Sequence, residues 1–132
     1  MKRYVTSKFL VMIIGVLLFF GATAGLAVAC HIDIAVTGVL QEQYETGDEE
    51  IVKVTVVLTH RNCPEGIDAT QFLTDGLEVL GATPWEETSP NHFERLIKVK
   101  ILSPASGEAE LQVKRVCSKE GGLGVITLPV RV

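Results

Sequence analysis

This chain of 132 residues carries no catalytic signature. It has no Gly-x-Ser-x-Gly stretch to set a nucleophilic serine on a tight strand-to-helix turn. It has no Cys-x-x-Cys redox pair, no Cys-x-x-Cys-His for haem attachment, and no glycine-rich phosphate loop leading into a helix. Together these absences argue against an enzyme. Long amphipathic helices, internal repeats and a low-complexity tail are missing as well, which argues against bundles and solenoids. Positive charge is scarce after residue 29: nine basic residues face sixteen acidic ones, a net charge of −7. Such a surface is repelled by nucleic-acid phosphates and anionic headgroups, so no nucleic-acid partner is expected.

What is present begins with a leader. Lys2, Arg3 and Lys8 precede 21 uncharged residues from Phe9 to Ala29, which end in Ala27-Val28-Ala29. A basic start, an apolar centre and small residues at the boundary form an export signal. The run is also long enough to span a bilayer. Residues 1–29 are therefore expected to be a signal peptide or a membrane anchor. Residues 30–132 are expected to be one exported domain, at the periplasmic or extracellular face of a membrane.

Beyond the leader the apolar residues recur with period two. Ile32, Ile34 and Val36 alternate with polar or small neighbours. In 51–61, Val52, Val54, Val56 and Leu58 share one face, while Lys53, Thr55 and Thr59 share the other. Further strands are predicted at 77–83, 92–102 and 109–117, and a last one carries Ile126, Leu128, Val130 and Val132. ETGDEE, NCPEG, TSPN, SPASG and KEGGLG read as turns. The stretch IDATQFLTD, 67–75, reads equally as a helical turn or as an extra strand. Six or seven short strands imply an all-β, immunoglobulin-like sandwich, with Pro129 on an edge strand.

The run GLEVLGATPWEETSPNHFERLIKVKI, followed by SGEAELQVKR, resembles exported bacterial immunoglobulin-like domains over residues 50–132. The resemblance lies at the level of fold. It implies a β-sandwich with a surface or periplasmic accessory role, and it carries over no functional residues. The THRNCP stretch lies outside that pattern.

All three cysteines, Cys30, Cys63 and Cys117, lie after the leader, in a compartment where disulfides persist. In a sandwich the first two strands run antiparallel. Cys30 and His31, which open the first, should then sit near His60 and Cys63 at the end of the second. In a seven-strand order Cys117 joins the same pole. A Cys63–Cys117 disulfide is the leading expectation, with Cys30 left over. A Cys30–Cys63 bridge and a copper or zinc site using Cys30, His31, His60 and Cys63 stand as alternatives. Cys30 follows Ala27-Val28-Ala29 and so is also a lipidation candidate, although alanine stands where lipoprotein signals usually have leucine. Trp85 is read either as core or as an exposed binding aromatic. The adjacent acidic pairs Glu49-Glu50 and Glu86-Glu87 point to opposite faces of a strand and form no carboxylate dyad.

The function expected from these observations is that of a non-enzymatic, exported accessory or interaction domain. Its expected partners are the membrane, reached through the N-terminal segment or a lipid, and an envelope protein. A metal-binding or redox accessory protein and an adhesive or ligand-binding module using Trp85 are the alternatives.

Overall fold

A computed structural model describes residues 30–59, 66–116 and 121–132. It contains eight strands: β1 (Cys30–Val36), β2 (Glu49–Leu58), β3 (Gln71–Asp75), β4 (Leu77–Ala82), β5 (Glu86–Ser89), β6 (His92–Ile101), β7 (Glu108–Arg115) and β8 (Gly122–Pro129). Two antiparallel sheets result. The larger has the order β1-β2-β6-β4, with β5 continuing along β6, and the smaller has the order β3-β7-β8. Among the described residues no helix is long and apolar enough to cross a membrane; the leader lies outside them.

The period-two pattern decides which faces meet. Val52, Val54 and Val56 on β2 and Ile97, Val99 and Ile101 on β6 are buried against Ala109, Leu111 and Val113 on β7 and Leu128 on β8. Their partners one residue away, Lys53, Lys98 and Lys114 among them, point to solvent. Burial of apolar area at about 25 cal/mol per Å² makes this the main stabilising contribution.

The strand count exceeds the six or seven expected by one, β5, while the 67–75 stretch decides between six and seven. The ambiguous 67–75 stretch makes both structures in turn: a 3₁₀ turn at Ile67–Ala69 and then β3. Glu86 and Glu87, with Thr88 and Ser89 from the stretch expected to be the TSPN turn, form β5, which pairs with β6 around a turn at Pro90 and Asn91 (φ 65°). A further difference lies in KEGGLG. From Gly122 onward it is strand rather than turn. Gly122 and Gly124 face inward, where a Cβ would come within 2.6 Å of the Cys30 carbonyl oxygen and 2.7 Å of the Ile32 side chain. These two glycines let β1 nest against β8 and close that side of the sandwich. Val132, expected in the last strand, lies beyond it and is exposed, because β8 ends at Pro129. Pro129 lies on an edge strand, as expected.

Tyr44, between β1 and β2, is fully buried and pairs with Val130 in an isolated bridge. Its hydroxyl accepts from the Gln41 N–H at 3.3 Å and donates to Glu50 Oε2 at 3.3 Å. Burial pushes the phenol above its ordinary value of 10.0, the charges of Glu50 and Asp48 push the same way, and the Gln41 hydrogen bond opposes them. The folded state therefore holds this proton more tightly than the unfolded chain does. Its contribution to stability is complete below pH 10 and is lost as pH rises through the folded value. Urea titrations on either side of pH 10 should find that Tyr44→Phe weakens the alkaline loss. An unchanged alkaline slope would count against this assignment.

Candidate functional site

The register places the start of β1 beside the end of β2: Cys30 pairs with Leu58 and His31 with Val57. Gly122, which packs on Cys30, pairs in turn with Arg115 at the end of β7. The start of β1, the ends of β2 and β7 and the start of β8 therefore share one pole, as the strand directions required. His60, Cys63 and Cys117 lie outside the described residues. Described residues close in sequence to Cys63 and Cys117 do meet. Arg115 is 2% exposed, and its guanidinium donates to the Gly66 carbonyl at 2.6 Å, to the Ile67 carbonyl at 3.1 Å and to Thr70 Oγ1 at 2.7 Å. Gly66 stands three residues after Cys63, and Arg115 two before Cys117.

β1 begins at Cys30 itself, so Cys30 and His31 take opposite faces. Cys30 is a free, buried thiol on the inner face, and His31 is exposed on the outer one. The two do not converge on one point. Among the described residues no group of three histidine, cysteine or acidic side chains is placed to hold a metal ion. His92 lies two strands from His31 on the same outer face, with Val57 between them.

Trp85 occupies the link between β4 and β5. It is half-buried and stacks on Phe72 with ring centroids 6.1 Å apart. The Arg95 guanidinium lies 5.1 Å from the Trp85 ring and 5.5 Å from Phe72, and its Nε donates to the Thr83 carbonyl at 2.9 Å. Trp85 is thus partly core. One side closes the gap between the sheets through an aromatic–cation stack. The other borders a cleft of about 530 Å³, lined by Lys53, Thr83, Glu86 and Glu94 among others.

Both sheets carry exposed apolar residues on their outer faces. On the larger, Ile51, Leu80 and Leu96 lie among paired charges, Lys53 with Glu94 and Lys98 with Glu49. On the smaller, Leu73, Val116, Leu123 and Val125 are exposed, and several of them line a shallow groove of about 680 Å³ with Lys114 and Gly121. Sequence reasoning missed this surface. Its signal was the GLGVITL run, in which apolar residues occupy both faces instead of one. Arg115 was missed too, because nothing in a strand pattern distinguishes a buried arginine from an exposed one.

Compared with family models, curated proteins and solved structures, the chain matches none.

Proposed function

We propose that this protein is a non-enzymatic, exported, immunoglobulin-like accessory domain that acts by contact at the outer face of a membrane. The observation that carries the reading is the uncovered apolar outer face of the smaller sheet, formed by Leu73, Val116, Leu123 and Val125. Apolar patches of this kind on a small soluble domain mark contact surfaces. The export leader supplies the compartment. Extraction of the full chain from envelope membranes in mild detergent tests the reading. A complex larger than the chain's own 14.3 kDa, or lipid retained with it, is expected. Recovery as a solitary, lipid-free, water-soluble protein would overturn it.

The cysteines fit the same account. The contact between Arg115 and Gly66 supports a Cys63–Cys117 disulfide, which would close a loop of about 50 residues and stabilise by roughly 3–4 kcal/mol in the chain-entropy picture. Cys30, inward-facing and buried, then serves as a small packing residue. A lipid thioether needs an outward sulfur, so the inward position favours a retained anchor over lipidation. Thiol counting should find no reactive group in the native protein, one after denaturation and three after reduction. A reactive thiol in the native state would contradict the buried role of Cys30.

One observation favours a second reading, a ligand-binding module: the cleft that joins Trp85 to Lys53, Glu86 and Glu94. Glycan-array binding that is lost on Trp85→Ala would support it. The copper or zinc alternative draws on His60 and Cys63 together with either Cys30 or His31, since those two take opposite faces of β1. A chelator-dependent increase in free thiols is the observation that would favour it.

A further inference from the structure

We infer that the apolar end of the smaller sheet's outer face rests on the lipid–water interface of the membrane that holds residues 9–29. The inference builds on the membrane-held reading above and names what covers the face.

Position is the first argument. Cys30 packs on Gly122, Gly122 pairs with Arg115, and the outward residues next to that pair are Leu123 and Val116. Both are 59% exposed. The uncharged run ends at Ala29, and β1 begins at Cys30. An extended residue reaches at most about 3.6 Å, so no spacer separates the strand from the apolar run. If that run sits in a bilayer, the pole bearing Val116 and Leu123 is held against the interface.

The second argument is the order of residues along the face. The register reads it in rows from that pole outward. The first row is Gln71, Lys114 and Leu123, and the second is Leu73, Gln112 and Val125. The third is Asp75, Glu110 and Thr127, and Glu108 follows beside Pro129. Apolar residues and the face's lysine thus cluster near the leader, and its acids lie at the far end. Lysine can lay its stem on an apolar surface while its ammonium reaches the headgroups. Among the described residues of this face the carboxylates, Asp75, Glu108 and Glu110, lie far from that pole. A soluble partner or a second copy would have no reason to require this gradient towards the leader.

The test uses the full chain in phosphatidylcholine vesicles, with Trp85→Phe removing the sole native indole. Leu123→Trp places a reporter at the pole. Val39→Trp places one beyond the far end of β1, where residue 39 is 88% exposed. Vesicles carrying lipids brominated near the interface quench nearby indoles. Emission from position 123 should shift to the blue and be lost in brominated lipid, whereas emission from position 39 keeps its intensity. Val125→Trp should give an intermediate loss. If the chain floats with the vesicles but position 123 is quenched no more than position 39, this inference fails and the membrane-held reading survives. A blue shift without quenching would assign the face to a second copy or another protein, and would also overturn it. If the chain does not float at all, both readings fail.

Discussion

Replacing Arg115 by methionine should cost about 2–4 kcal/mol, the cost expected for stranding buried acceptors of a charged donor. The guanidinium reaches Gly66, Ile67 and Thr70 from the end of β7. It ties the segment that follows β2 to the opposite sheet. Methionine keeps most of the packing volume and removes every donor, so the loss reports the hydrogen bonds rather than a cavity. Lysine restores the charge but not the fork, and should recover only part of the stability. Hydrogen exchange adds a local signature: the Thr70 N–H, bonded to the Ile67 carbonyl at 3.1 Å, should lose protection in Arg115→Met ahead of the amides in the middle of β2. For a domain of this size, whose whole stability is of order 5–15 kcal/mol, the effect should be plain in a denaturant titration. A loss below about 0.5 kcal/mol, the level of an ordinary surface substitution, would reduce Arg115 to an incidental arginine.

Gly76→Ala is expected to be as damaging, through backbone geometry. Gly76 alone separates β3 from β4 and carries the chain from one sheet to the other. Its φ of 66° is left-handed, and a Cβ there would lie 2.7 Å from Pro104 Cβ. Its carbonyl also accepts from the Leu102 N–H at 2.9 Å. The left-handed penalty for an L-residue and the overpacking against a rigid proline ring add to about 2–4 kcal/mol. Pairing the substitution with Pro104→Ala separates the two causes. The double variant should regain the steric part and keep the conformational part. Gly47, also at positive φ (95°) but with open space around it, serves as a control: alanine there should cost only the conformational part.

Strand positions in this chain were legible because alternation is a direct consequence of the pleat. Val52, Val54 and Val56, and likewise Ile97, Val99 and Ile101, announce their inner faces without any tertiary information. The shared pole was legible as well, since strand direction follows from antiparallel pairing. Illegible features depended on what a residue meets rather than on its own periodicity. Gly122 and Gly124 look like loop residues in isolation, and they belong to a strand because β1 needs room beside them. Trp85 gave no hint of Phe72 and Arg95, which approach from β3 and β6. The opposed faces of Cys30 and His31 turned on where β1 begins, and end residues are the least determined by pattern. The apolar outer face of the smaller sheet was hidden for a related reason. Leu73, Leu123 and Val125 come from two strands that are far apart in sequence, and each alone is an unremarked surface residue.

The proposed contact surface of this domain is the outer face of β3, β7 and β8. Site-specific photo-crosslinking in the envelope of the producing cell tests it most directly, with the photoreactive side chain at position 73 on that face and at position 55 on the outer face of the larger sheet. Adducts with membrane lipid or an adjoining membrane protein are expected from position 73, and few from position 55. Equal yields from the two positions, or none from position 73, would contradict it.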